Sequence, residues 1–370
     1  MKLRLSLKIN TPTILIVNFM LAFFFAKTLA MPSLVANGLI AGTGLLNLGY
    51  CMLKRSFPAK YFLIGAFFSL SMMLSILYNS NASWMELLWV WCFLGVALVL
   101  AQWTISSATI SKVFIVVLAV FAVQIISGVD PQKALAGISG NNISIIILFF
   151  VILIYIKRDE ENKKISYWPC AAAILLSLWG NGRAGLLASG LLTVLLFLYD
   201  YINVSKFRIS TLLRIGIVGA IAFMLVQHYF GDYLASLTDK IDRYGYTSSR
   251  TDIWAEYLRA ALRSVPNLLF GVLRDTSTPL LNFYGGNVHN AFLALHSNYG
   301  IFCLIFVLVS LVKSLFVFLR HKKLVYAIMI IVWCCRSIFD WTGFPGIFDV
   351  LFFYFLIQSD MLQRNASQRR

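Results

Sequence analysis

Two arginines and a histidine stand where an apolar chain has least use for them. Arg183 sits in Trp179-Gly180-Asn181-Gly182-Arg183-Ala184-Gly185, a tight turn between two apolar stretches, Arg250 opens an amphipathic segment, and His289-Asn290 opens a later apolar stretch. An arginine at the centre of a membrane helix costs about 2.5–3.5 kcal/mol on insertion scales and less near the interface, so one held beside a bilayer wants an anion. Its planar fork matches carboxylate or phosphate oxygens in pairs, which lysine does not. His289, whose unperturbed pKa is about 6.5, suits proton transfer near neutrality. Each residue alone also has an ordinary reading: Arg183 snorkelling to lipid phosphate, Arg250 a solvated loop charge, His289 a hydrogen-bonded structural residue.

The elements that must position these residues are read from hydropathy. The 370-residue chain is 60% hydrophobic and only 12% charged, far from the composition of a soluble domain. A spanning helix needs about 20 mostly apolar residues. Candidate spans are 11–31, 34–53, 60–79, 84–103, 110–127, 142–157, 168–181, 185–201, 211–229, 289–318, 323–340 and 345–360. The expected fold is an all-α polytopic membrane protein of about 12 transmembrane helices. It divides into an N-terminal bundle, 1–229, a long polar loop, 230–288, and a C-terminal bundle, 289–370.

A net charge of +16 would suggest nucleic acid in a soluble protein, but its distribution has a simpler cause. Alternate connections carry the basic clusters, among them Lys54, Arg55 and Lys60, Lys157, Arg158, Lys163 and Lys164, and Arg320, Lys322 and Lys323. The short connections on the other side carry only Lys133 and Arg183. By the positive-inside rule both termini are cytoplasmic and the long loop is periplasmic in a bacterial inner membrane, with lipid and not nucleic acid as the partner of the basic residues. The first apolar run, preceded by Lys2, Arg4 and Lys8, is read as a span and not a cleaved signal, because removal would leave an odd number of spans. The six cysteines all lie in or beside apolar segments, so no disulfide framework is expected. The Gly-rich stretch 37–49 lacks the Lys-Ser/Thr ending of a phosphate loop; Gly42 and Gly44 read instead as close helix packing.

Within the loop, Ile253, Trp254, Tyr257, Leu258 and Ala261 recur at helical spacing opposite Asp252, Glu256, Arg259 and Arg263. The expected amphipathic helix starts at a Ser249/Asp252 capping box, ends at Pro266 and Gly271, and is followed by a flexible return through residues 282–287. Such a helix could roof an outward cavity. Asp232, Asp239 and Asp242 interleave with Lys240 and Arg243 and read as a solvated face, so neither metal nor other cofactor is expected. Arg336 and Asp340, one helical turn apart, read as a structural ion pair, and His296 as a satisfied core histidine.

In order and spacing, the segments Asn-Gly-Arg-Ala-Gly, Ser-Ser-Arg-x-x-x-Trp and His-Asn-x-x-Leu followed by Gly resemble the O-antigen polymerase and O-antigen ligase superfamily. The residues are Arg183; Ser248, Ser249, Arg250 and Trp254; and His289, Asn290, Leu293 and Gly300, with Gly271 and Val272 also similar. The resemblance runs over roughly 179–306; the N-terminal spans match in number and hydropathy only. It implies a membrane glycosyltransferase acting on the periplasmic face with a polyprenyl-pyrophosphate-linked glycan donor and acceptor. A chain-length regulator or flippase would be its protein partner. Arg183 and Arg250 would hold the pyrophosphate and stabilise its developing charge, and His289 would take the proton of an acceptor hydroxyl. Asn290, Tyr244, Tyr246 and Trp254 would contact substrate. Direct attack would invert the anomeric centre. Polymerisation of repeat units is favoured over ligation to lipid A-core because the loop lacks a basic extension for a phosphorylated core. A flippase or transporter is less well matched, since ionisable residues cluster at one boundary and not at the midplane.

The orientation is open to a direct test. Single cysteines at Arg183, Asp252 and Asn287, in a background without native cysteines, will react with an impermeant thiol reagent from the periplasmic side, whereas those at Lys163 and Lys322 will not. The reverse labelling pattern would reject this topology.

Overall fold

The computed structural model describes residues 10–203, 239 and 250–368. Among these it is all-helical, without a strand, and eight of its helices are long and apolar enough to cross a membrane. In chain order the described helices are α1 (Thr11–Thr28), α2 (Ser33–Leu53), α3 (Ala59–Asn79), α4 (Leu87–Gln102), α5 (Ser107–Ile126), α6 (Ile143–Glu160), α7 (Trp168–Trp179) and α8 (Arg183–Asn203). Then come α9 (Arg250–Leu262), α10 (Val265–Phe270), α11 (Pro279–Phe283), α12 (Ala291–Arg320), α13 (Leu324–Ile338) and α14 (Phe348–Gln368). The expected span 211–229 lies outside the described residues.

Sequence decides which helix stands in the middle. From Ile143 to Lys157 every residue of α6 is buried. A helix that is apolar on all sides has no face to give to solvent and becomes a central pillar. The helices around it use small residues to approach one another. A Cβ at Gly44 of α2 would lie 2.6 Å from Cys92 Cβ of α4, and one at Gly95 of α4 would lie 2.7 Å from Leu48 Cβ. Gly42, expected to share this role, has open space around it. At 12 and 15 residues, α7 and α13 are shorter than the spans expected there, and each gives way to an irregular segment at the same end of the bundle. At the opposite end Lys313, which could have snorkelled, pairs instead with the buried Asp360 at 3.1 Å, as does Lys60.

The loop is richer than one amphipathic helix. Pro266 does not end α9; it lies in the first turn of α10, whose N-cap Ser264 accepts from Asn267 N at 3.3 Å. Proline is tolerated there because that N–H would have no helical partner. A further helical turn, α11, occupies the start of the expected flexible return. The buried face of α9 also differs from the one read from periodicity: Glu256 is inward and Leu258 is exposed. Glu256 turns in because its carboxylate accepts from Leu280 N (3.2 Å) and Leu281 N (2.9 Å), closing the first turn of α11.

One helix is broken. Gly300 interrupts α12 with φ 75°, and the carbonyl oxygen of Leu269 lies 2.2 Å from where its Cβ would stand. Gly271, with φ 91°, would place a Cβ 2.4 Å from Ser297 O. Loop and break therefore interlock backbone to backbone. A helix break deep in an apolar bundle frees carbonyls that need donors, and α3 supplies them. Asn79 Nδ2 donates to Ser297 O of α12 (3.1 Å) and to Phe270 O at the end of α10 (2.7 Å), and the Ser75 hydroxyl lies within donating distance of the same two carbonyls. Alanine at Gly300 faces the left-handed penalty of about 1–2 kcal/mol and a backbone overlap besides. Gly300→Ala will sharply reduce the folded fraction recovered in detergent and lower its unfolding temperature, measured by size exclusion and thermal melting, while Gly42→Ala will change neither.

Candidate functional site

Four elements converge at one end of the bundle: the turn into α8, the start of α9, the junction before α12 and the last turn of α13. The anchor is Arg336, whose side chain is completely buried. Its Nε donates to Ser144 Oγ (3.2 Å), and Nη2 donates to Asn141 O (3.2 Å) and to Asp340 Oδ2 (3.1 Å). Nη1 is buried with no hydrogen-bond partner. An unpaired buried guanidinium nitrogen is costly and calls for an explanation.

Ser144 can reach Arg336 because α8 comes close without obstructing it. A Cβ on Gly185 would lie 2.4 Å from Ser144 Cβ and 2.6 Å from its Oγ. The glycine two residues after Arg183 is thus a notch for α6. Asn181, with φ 51°, turns the chain so that α8 begins at Arg183, which is half-buried.

The start of α9 brings the second arginine. Arg250, Trp254 and Tyr257 lie at i, i+4 and i+7, on one face of the helix. Trp254 Nε1 donates to Val288 O at 2.9 Å, and Tyr257 Oη meets His296 Nδ1 at 2.7 Å. The Arg-x-x-x-Trp spacing is thereby explained: the tryptophan fastens α9 to the residue before His289, and one turn earlier the arginine is delivered to the same place. Trp254, expected to contact substrate, spends its polar atom on this positioning contact. His296 Nε2 donates to Leu268 O at 2.8 Å, so both ring nitrogens are bonded and the residue is structural, as its sequence context suggested.

His289 itself occupies the left-handed region, with φ 47°. Its N–H donates to Asn287 Oδ1 at 2.9 Å, and Tyr284 packs edge-on against its ring. A non-glycine residue is held in that conformation only when its surroundings fix it. Asn290 Oδ1 accepts from Phe292 N (2.9 Å) and Leu293 N (3.1 Å), an N-cap. Its oxygen is therefore committed to α12, and substrate contact by Asn290 is left to its amide nitrogen. His289 Nδ1 lies 3.7 Å from Asp340 Oδ1, within ion-pair range but longer than a hydrogen bond.

Electrostatics tie the pieces together. Burial lowers the pKa of the Arg250 guanidinium, Asp340 opposes that shift, and Arg336 and Arg183 add to it. Burial would raise the Asp340 carboxyl, but Arg336, His289 and Arg250 hold it well below the usual carboxylate range. Arg336 and Arg250 thus share one carboxylate beside a histidine, and Arg183 lies close enough to Arg250 to act on it. Arg336 and Asp340, read from sequence as a structural pair, belong to the site; their one-turn spacing at the same end as Arg183 was the available signal. Tyr244, Tyr246, Ser248 and Ser249 lie outside the described residues, as do Asp232 and Asp242, while Asp239 is exposed. No protein-family model and no curated protein matches the chain.

Because its pKa is depressed by folding, Asp340 contributes stability that is full above the ordinary carboxylate pKa of about 3.9 and is lost only as pH falls through its lower folded value. Removing one partner of a buried ion pair costs about 3–5 kcal/mol. Asp340→Asn will therefore destabilise the purified protein by about that much, and the gap from wild type will not close as pH falls from about 8 to 5. A gap that closed across that window would show that Asp340 is not held ionised.

Proposed function

We propose that this chain is a membrane glycosyltransferase that joins repeat units carried on polyprenyl pyrophosphate at the periplasmic face of a bacterial inner membrane. The observation that carries the proposal is the gathering of Arg336 and Arg250 about Asp340, with Arg183 beside Arg250 and His289 3.7 Å from that carboxylate. Clustered guanidinium groups suit a leaving group with several negative charges, and they lie where water is partly excluded, which strengthens each contact. The sequence resemblance to the O-antigen polymerase and ligase superfamily rests on residues of this same cluster.

In the proposed step, the oxygen of an acceptor sugar hydroxyl attacks the anomeric carbon of the donor. A new glycosidic bond forms, the bond to the pyrophosphate oxygen breaks, and the electron pair leaves with the polyprenyl pyrophosphate, its charge met by the guanidinium groups. The hydroxyl proton passes to His289. With Nδ1–H turned toward Asp340, Nε2 presents the basic lone pair, and the carboxylate stabilises the imidazolium that forms. Attack opposite the leaving group inverts the anomeric centre.

Polymerisation is favoured over ligation by the charge of the described loop. Residues 250–288 hold Arg250, Arg259, Arg263 and Arg274 against Asp252, Glu256 and Asp275, a near balance that offers little to a phosphorylated lipid A-core. Transport is a weaker reading, since transporter sites lie near the midplane.

Deleting the gene from its host will leave glycan of a single repeat unit and remove the long ladder on a gel. Plasmid-borne wild type will restore the ladder, His289→Ala will not despite normal abundance, and Arg183→Lys and Arg250→Lys will restore only a small part of it because paired contacts to phosphate are lost. Full-length polymer accumulating on the carrier in the deletion strain would identify a ligase. A full ladder from His289→Ala would remove the proposed base.

A further inference from the structure

Beside the arginine cluster lies a second concavity that the proposed chemistry does not use. It measures about 370 Å³ and is formed at the same end of the bundle by α1, α2, α4, α6 and the segments that precede α4, α6 and α14. That volume falls within the range of small-molecule sites, about 300–1,000 Å³. The two sites share a wall. Asn141 turns its carbonyl to Arg336 while Asn142 lines the cavity, and Asp340 faces the arginines while Trp341 lines the cavity. Trp341 N donates to Asp340 Oδ1 at 3.0 Å, which ties the two residues together at the edge where the sites adjoin.

The lining mixes flat aromatic surface with hydrogen-bonding groups. Trp89, Trp341 and Phe93 supply the first; Asn37, Asn142 and Glu86 supply the second. Two of these residues carry a buried polar atom with no partner in the protein, an acceptor on Glu86 (Oε2) and a donor on Trp341 (Nε1). Lys27 lines the cavity too, yet forms no ion pair with Glu86. Native proteins seldom leave such groups unpaired, because each costs the desolvation it does not recover. A sugar answers both: its hydroxyls donate to a carboxylate and accept from an indole N–H, and its C–H face lies on an aromatic ring.

We infer that this cavity binds the terminal sugar of the acceptor glycan and brings its hydroxyl across the shared wall to His289. The inference rests on the glycosyl-transfer reading and adds to it the acceptor's site, with Glu86 and Trp341 as the residues that recognise it. A lipid-linked acceptor can reach the cavity with its headgroup at the membrane surface while the donor's pyrophosphate stays with Arg183, Arg250 and Arg336. Donor and acceptor are then bound by different residues on either side of Asp340 and Trp341.

The test is direct binding to the full-length purified protein with two probes: the host's repeat-unit oligosaccharide released from its carrier by mild acid, and a polyprenyl pyrophosphate without sugar. Glu86→Gln and Trp341→Phe will each weaken oligosaccharide binding about tenfold or more, as expected for loss of a hydrogen bond in a desolvated site, and leave polyprenyl pyrophosphate binding within about twofold. Arg250→Lys will do the converse. Unchanged oligosaccharide binding in both cavity variants overturns the inference. So does weakened polyprenyl pyrophosphate binding in them, which would give the cavity to the prenyl chain. Wild-type protein that binds polyprenyl pyrophosphate but not the oligosaccharide removes the inference alone, while protein that binds neither removes the glycosyl-transfer reading with it.

Discussion

Everything at this end of the molecule is organised by the need to hold Arg336 and Arg250 about the buried carboxylate of Asp340, with a third guanidinium, Arg183, beside Arg250. Like charges in a poorly screened environment repel strongly, so the cluster stands only if each arginine is fixed by something else. Arg336 is fixed by Ser144 and Asn141, whose approach depends on the missing side chain of Gly185. Arg250 is fixed through Trp254 and Tyr257, which fasten its helix to the α12 junction and to His296. Asp340 neutralises one charge and faces His289 with its other oxygen. What remains is the Nη1 of Arg336, buried with no hydrogen-bond partner among the described residues. A buried ion pair is weak evidence for stability, and a buried guanidinium N–H without a partner costs stability outright.

The break in α12 is the second device on which the site depends. An unbroken helix from Ala291 would leave no gap at Gly300 for the Leu269 carbonyl. The loop after α10 would then have to leave the bundle sooner, and α9 would lose its seat over His296. Ser75 and Asn79 of α3 make the break tolerable by donating to Ser297 O, and Asn79 also meets Phe270 O where α10 ends against it. Stability and site geometry are coupled here: α3, far in sequence from the chemistry, sets how α9 lies over the end of the bundle.

Much of this was legible in the sequence because a membrane enforces simple rules. Long apolar runs had to be helices, and Arg183, Arg250 and His289, spread over a hundred residues of sequence, drew attention because charge there is expensive. The parts that were not legible depend on specific contacts. Periodicity placed Glu256 on the outer face of α9, since an acid next to apolar residues normally faces water; only the backbone donors of α11 explain its burial. Pro266 was read as a stop because the preceding pattern was helical, although Ser264 makes it a start. Arg336 and Asp340 satisfied each other on paper, which hid their shared service to the other two arginines. Trp254 and Asn290 were recognised as belonging to the site, but sequence could not say that their hydrogen bonds go to the backbone.

The distribution of buried charge also separates surface catalysis from conduction. Among the described residues the buried charged side chains are Lys157, Glu256, Arg336, Asp340, Asp349 and Asp360. Each lies near an end of its helix or outside the helices that span, save Asp360, which lies midway along α14 but at the end of the apolar stretch 345–360. Between the two ends, α6 presents isoleucine, leucine, phenylalanine and valine from Ile145 to Leu153. At the end opposite the arginines, Lys157 donates to Glu160 and to Leu100 O, and Tyr326 donates to the same carboxylate, so those polar groups are satisfied within the protein. Moving a charged headgroup across would require desolvating it along an apolar pillar with no side chain to replace its water, at a cost no contact at either end could offset. A reaction completed at one face needs no such path. Among the described residues the buried charged group left with an unbonded nitrogen, Arg336, lies at that face, the arrangement that the proposed glycosyl transfer asks for.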